Sequence, residues 1–218
     1  MAENCPICGG TGFVEKGHSV AICSCRFQSV DIAKYLRIPP RFASAEFENY
    51  IPISASQAQA LKTCMAYAYS FEPTEGKGLT LLGPPLMGKT HLAVSVLKSI
   101  YRNKRIRGLF FDTKDMLFKL KSVMEDSGRY TKLMNILLKS PLLVLDDLGS
   151  ERLSDWQREI ITYIISYRYN HMKSTIITTN YALRKFNEKE VAKTIEDRLS
   201  ETVVSKIYQM NTTVYILP

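Results

Sequence analysis

Residues 83–90 read Gly83-Pro84-Pro85-Leu86-Met87-Gly88-Lys89-Thr90. The stretch satisfies G-x-x-x-x-G-K-[ST] in a fitting context. The apolar run at 78–82 reads as a strand, and residues 89–103 put Leu92, Ala93, Val96, Leu97, Ile100 and Tyr101 on one helical face. A loop between a strand and a helix N-terminus offers anions a nest of backbone N–H groups. Gly83 is expected to permit the turn out of the strand, and Gly88 the close approach of phosphates to the backbone. Lys89 would add a point charge at the β- and γ-phosphates, and the Thr90 hydroxyl would ligate Mg2+. Residues 83–90 are thus the expected ATP-binding segment.

Toward the C-terminus, Leu142-Leu143-Val144-Leu145-Asp146-Asp147 is an apolar strand ending in two acids. A buried parallel strand delivers such carboxylates to the sheet edge where ligands bind in open α/β folds. Asp146 is expected to hold Mg2+, and Asp147 to polarise an attacking water. Residues 174–180 form a second strand with a polar end at Asn180, which is placed to hydrogen-bond a γ-phosphate oxygen and a water; asparagine is equally an ordinary turn residue. Arg198 lies just off the apolar stripe of Val191, Ile195 and Leu199, a position that also suits a solvated arginine.

The remaining pattern alternates. Helices are read at 54–71, 113–139 (broken near Ser127-Gly128), from Ser154 onward and at 188–199; strands are read at 107–111, 202–208 and 213–217. Strands separated by helices predict an α/β fold, a mostly parallel sheet covered on both faces. The 218 residues are 45% hydrophobic and 23% charged, with net charge +8, which excludes disordered and collagen-like classes and favours polyanionic partners. No apolar run is long enough to span a membrane and no secretory signal is visible at the start, so the expected location is cytoplasmic.

Four of the five cysteines, Cys5, Cys8, Cys23 and Cys25, lie in the first 25 residues. Two close thiol pairs at one end of a cytosolic chain suit tetrahedral Zn2+ better than a disulfide scaffold. His18 in place of one cysteine, an Fe–S cluster and free thiols are the alternatives. About 28 residues cannot build a core, so metal would supply most of the folding energy there. Ile38-Pro39-Pro40 stops the short amphipathic stretch that follows, dividing the chain into a cysteine-rich module and linker helix at 1–37 and an ATPase domain at 38–218. Cys64, on an apolar helix, reads as a buried small hydrophobe.

The order phosphate loop, Asp146-Asp147, Thr178-Thr179-Asn180, then Asp197-Arg198-Leu199 resembles the DnaC/DnaI/IstB group of AAA+ ATPases, bacterial helicase loaders and transposase helpers. Ile38-Pro39-Pro40-Arg41-Phe42, Phe47-Glu48-Asn49-Tyr50 and residues 88–93 and 145–149 extend the likeness, which is nearest to the DnaC-type loaders with an N-terminal zinc module. The resemblance implies that Asn180 is the sensor of the γ-phosphate and Arg198 an arginine finger acting on ATP of a neighbouring subunit. It also implies that residues 47–50 pass near the adenine and that the helices after residue 111 meet single-stranded DNA. Leu86-Met87 stands where relatives often carry glycine, and Asp147 where most AAA+ proteins carry glutamate. Slow intrinsic hydrolysis that depends on self-association is the resulting expectation. About 20 residues follow Arg198, too few for the helical lid of larger AAA+ proteins.

Lys98, Arg102, Lys104, Arg105 and Arg107 form a run without an acid, and Lys114, Lys119, Lys121, Arg129 and Lys132 follow near aromatic residues. Phosphate contacts and base stacking on single-stranded DNA suit these residues, as does ordinary surface solvation. The function implied by the resemblance is ATP-dependent loading of a replicative ring helicase, with the zinc module as the helicase contact. A transposase helper ATPase on duplex DNA and a nucleotide-gated adaptor with negligible turnover are the alternatives.

Overall fold

Strand residues in this chain come as short apolar runs buried on both sides, the signature of a sheet covered by helices on each face. A computed structural model describes residues 5–17, 19–23, 31–150, 152–185 and 193–218. Near the N-terminus, β1 (Phe13–Lys16) and β2 (Ser19–Ile22) form an antiparallel hairpin. After α1 (Ile32–Tyr35) come two single turns, Pro40–Phe42 and Phe47–Asn49, and then α2 (Ala55–Ser70). The core elements follow as β3 (Gly78–Leu82), α3 (Lys89–Lys104), β4 (Gly108–Asp112), α4 (Thr113–Ser122), α5 (Ser127–Lys139), β5 (Leu142–Asp146) and α6 (Asp155–Asn170). β6 (Ser174–Thr179), α7 (Ile195–Arg198), α8 (Glu201–Met210) and β7 (Asn211–Tyr215) complete the order.

Among the described residues these strands make a five-stranded parallel sheet in the order β4-β5-β6-β3-β7. Alternation along each strand divides the core. Leu142 and Val144 of β5 join Leu79 and Leu81 of β3 under α2 and α3. Leu143 and Leu145 join Ile177 of β6 under α4, α5, α6 and α8. The register pairs Asp112 with Asp146, and Leu82 with Thr179. The polar residues that end β4, β5 and β6 therefore collect, beside the loop that leaves β3, along one edge of the sheet, the edge where α/β folds bind ligands.

Two sequence expectations are corrected. Residues 202–208, read as a strand, belong to α8: Ser200 caps the helix by accepting from the Val203 amide, and Val203, Val204 and Ile207 form a buried helical stripe. Packing against α6 and α7 outweighs the β propensity of the two valines. The break between α4 and α5 falls at residues 123–126, ahead of the expected Ser127-Gly128, because Asp126 caps α5 through the Arg129 amide. The helix expected at 188–199 lies partly outside the described residues; its visible portion is α7. Among the described residues no helix is long and apolar enough to cross a membrane.

Candidate functional site

The loop between β3 and α3 is held by contacts that fall on its glycines. Gly83 has no positive φ; a Cβ there would collide with the carbonyl oxygen of Ile216, which follows β7 and donates its own N–H to Leu82 O at 2.7 Å. Close approach of a neighbouring backbone, in place of the expected sharp turn, is what demands glycine here. Gly88 does have a left-handed φ of 84°, and its face is covered by the Tyr50 ring. The Tyr50 hydroxyl donates to Met87 O at 3.0 Å, so residues 47–50 brace the loop. Leu86 also adopts a positive φ of 65° with its side chain 96% exposed. A left-handed leucine costs about 1 kcal/mol relative to glycine.

Lys89 Nζ donates to Gly83 O at 2.8 Å and Pro84 O at 2.6 Å, folding back across the mouth of the loop. Burial lowers its pKa, and the charges of Asp147 and Asp146 oppose that shift. Thr90 Oγ1 donates to both Asp146 carboxylate oxygens at 2.9 and 3.1 Å, joining the loop to the end of β5. Thr178 Oγ1 donates to Asp146 Oδ1 at 2.6 Å. Burial, with Asp112 and Asp147 nearby, still pushes the Asp146 carboxyl up to about 6. A hydroxyl and a carboxylate converging inside a cluster of three acids is a donor set for a hard divalent cation, and Mg2+ fits it. Asp147 has a positive φ of 55° and accepts from Asn180 Nδ2 at 3.0 Å.

Lys89, Thr90, Asp146, Asp147 and Asn180 thus line one open cavity of about 400 Å3, together with Pro85, Leu86 and Gly88. Its size suits a nucleotide. The sequence reading assigned no role to Arg41 and Phe42, which also line it. Their signal was present in Ile38-Pro39-Pro40-Arg41-Phe42, but only the tertiary path brings this turn over the loop. Thr178, which steadies Asp146, was hidden in an ordinary strand ending.

Arg198 is elsewhere. Its guanidinium carbon lies 4.0 Å from the Tyr181 ring centre, and it lines a separate cavity of about 290 Å3. No residue is common to the two cavities.

The basic run after residue 98 is largely committed to internal contacts. Lys98 is 3% exposed; it pairs with Glu46 and donates to Ala43 O and Ala45 O. Arg102 makes a two-pronged pair with Glu46 at 2.7 and 2.8 Å, Lys104 donates to Phe71 O, and Arg107 donates to Tyr35 O. Lys98 and Arg102 pin the segment before α2 onto α3. Further along, Lys119 and Arg129 pair with Asp115 and Asp126, whereas Phe118 stays 73% exposed.

Near the N-terminus, the Sγ atoms of Cys5, Cys8 and Cys23 lie within 4.8 Å of one another. Cys5 and Cys23 are buried with their sulfurs 3.8 Å apart, too far for a disulfide. That separation matches the roughly 3.8 Å edge of a zinc–thiolate tetrahedron with about 2.3 Å bonds. The Gly12 amide donates to Cys8 Sγ at 3.2 Å, as a knuckle that stabilises thiolates does. Three soft ligands in this arrangement fit Zn2+ with one further ligand. Cys25 and His18 lie outside the described residues. Cys64 is fully buried in α2, and burial pushes its thiol up to about 12.

Comparison with known proteins gives four informative similarities. The family described as IstB-like ATP binding protein matches residues 28–215. A crystal structure of the DnaC helicase loader is 54% identical with a TM-score of 0.74, covering 82% of this chain and 99% of that one. The replicative helicase loader DnaC of Escherichia coli (strain K12) is 27% identical over 166 residues, 75% of this chain and 64% of that protein. A putative ATP-binding protein of insertion sequence IS5376 from Geobacillus stearothermophilus is 27% identical over 113 residues, 51% of this chain and 43% of that protein. The chain spans less than two thirds of the length of these two curated relatives.

Proposed function

This chain belongs to the IstB-like ATP-binding protein family, and from that premise we propose that it is an ATPase that loads a replicative ring helicase onto single-stranded DNA. The observation that carries the reading is the 54% identity to a DnaC helicase loader over 99% of that chain. The convergence of Lys89, Thr90, Asp146, Asp147 and Asn180 on one cavity supports the ATPase component.

ATP enters the cavity with its phosphates along the backbone amides of residues 83–90. Lys89 exchanges the carbonyls of Gly83 and Pro84 for β- and γ-phosphate oxygens. Thr90 and Asp146 would hold Mg2+, which would supply neutralisation of phosphate charge. Asn180 keeps Asp147 oriented through the Nδ2–Oδ1 bond, leaving the second carboxylate oxygen to accept a proton from the attacking water. Arg198 acts on ATP of a neighbouring copy, so turnover requires assembly. In this reading residues 1–37 form the zinc module that holds the helicase, and residues 38–218 the ATPase domain.

Lys89→Ala and Asp146→Ala should each abolish ATP turnover; wild-type rates in both variants would overturn the site. The partner is tested by co-purification with the replicative helicase of the same cell, with ATP and zinc present, comparing the full chain with residues 38–218. Binding by the full chain alone supports loading through the zinc module. Failure of both, with tight duplex-DNA binding instead, would favour the transposase-helper reading suggested by the insertion-sequence relative.

A further inference from the structure

The separate cavity around Arg198 is strongly cationic. Arg152, Arg158, Lys193 and Arg198 line it, against Asp197 as the acid among the described lining residues. Asp197 is occupied: its Oδ2 accepts from the Thr194 amide at 2.9 Å and the Thr194 hydroxyl at 3.0 Å, capping α7. One carboxylate against four cations still leaves the lining net positive.

Arg158 is the best-held of these cations outside Arg198. It projects from the first turns of α6, a rigid helix whose N-terminus is closed by a Ser154–Gln157 capping box. Its side chain is half-buried, and its buried Nε has no acceptor among the described residues. Its Nη2 reaches Asp155 Oδ1 at 3.1 Å, but Asp155 is 95% exposed, so the pair is weak in water. A guanidinium with an unmet buried donor, in a cavity of about 290 Å3, is suited to a phosphate group and too confined for a whole nucleotide.

The cavity shares no residue with the ATP cavity of its own chain. The two are nonetheless linked, because the segment that follows Asp146 and Asp147 runs on to Ser150, which lines the cationic cavity. We propose that Arg158 is a second cation delivered with Arg198 to the phosphates of ATP bound by a neighbouring copy of this chain. The inference rests on the reading that ATP is hydrolysed between copies. In that reaction a water oxygen bonds to the γ-phosphorus and the bond from that phosphorus to the β–γ bridging oxygen breaks. The electron pair leaves with ADP, and one proton is released with inorganic phosphate. Arg158 and Arg198 share the negative charge that develops on the phosphoryl oxygens.

The test uses the full chain with ATP, Mg2+ and a single-stranded oligonucleotide. Arg158→Gln keeps the aliphatic stem and is expected to lower turnover about tenfold to a hundredfold, with ATP affinity retained. Mixed in equal amounts with Lys89→Ala, which lacks its own ATP site but keeps its cations, it should recover about a quarter of wild-type turnover, the share of interfaces pairing an intact loop with intact arginines. Arg198→Ala mixed with Lys89→Ala is the parallel arm. Wild-type turnover by Arg158→Gln overturns the inference, as does a mixture that stays at the parental level while the Arg198 mixture recovers. Failure of both mixtures overturns the inter-subunit reading itself, and the role of Arg158 with it.

Discussion

Asp146 shows how one residue trades stability for chemistry. Its carboxyl titrates near 6 in the folded chain, above the usual aspartate value of 3.8. Between those values the folded state keeps a proton that the unfolded chain has released. This group's contribution to stability therefore falls as pH rises from about 4 to about 6, then levels off. At neutral pH the nucleotide-free protein carries a buried carboxylate whose natural counterpart is a cation. Asp146→Asn should raise nucleotide-free stability by up to about 3 kcal/mol at pH about 7.5 and abolish the added stabilisation from Mg2+ with ATP. Thermal melts with and without Mg2+ and ATP check both signs; a variant less stable than wild type without nucleotide would contradict the account.

At the scale of elements, one buried charge ties a helix end to a strand. Arg168 of α6 is completely buried, and burial pushes its pKa down to about 9. Among the described residues no carboxylate faces it in the hydrogen-bond geometry. It donates to Leu137 O at 2.8 Å and Ser140 O at 3.0 Å at the end of α5, and to Ser174 O at 2.5 Å and Thr175 Oγ1 at 2.9 Å on β6. One planar guanidinium thus caps one helix and fixes the start of the strand that carries Thr178 and leads to Asn180. Arg168→Met should cost about 3–5 kcal/mol, because those carbonyls lose their donor inside the core. Urea unfolding measures this, and stability equal to wild type would refute the lock. Lys98 follows the same logic: its sequence neighbours suggested a basic surface, but Glu46 and two backbone carbonyls draw it inward.

Over the whole molecule, the proposed zinc module and ATPase domain depend on different forces. The sheet has two hydrophobic clusters, one on each face. Among the described residues, the cluster around Cys5 and Cys23 has, apart from the cysteines, only Val14 packed against it. In the proposed module, metal coordination would supply what apolar burial does not. A strong chelator should therefore release about one Zn2+ per chain and make the N-terminal thiols reactive, while the melting of the ATPase domain is unchanged. Thiol titration and metal analysis of the purified full chain check this; reactive thiols and no metal before chelation would sink the module. The same treatment should abolish helicase binding and spare ATP binding.

Local chemistry made much of this protein legible. The apolar runs ending at Leu82 and Asp146 and the helix from Lys89 were readable from residue type and spacing alone, because a buried parallel strand and an amphipathic helix are each short-range consequences of residue pattern. The alternation of strand and helix set the fold class for the same reason. Tertiary contacts decided the rest. Gly83 is glycine because Ile216, far along the chain, presses its carbonyl against it. Val203 and Val204 are helical because α8 buries them against α6, and Arg41 faces the ATP cavity because Glu46, Lys98 and Arg102 hold its segment over α3. Each depends on groups distant in sequence meeting in space, and no window of neighbouring residues contains both partners.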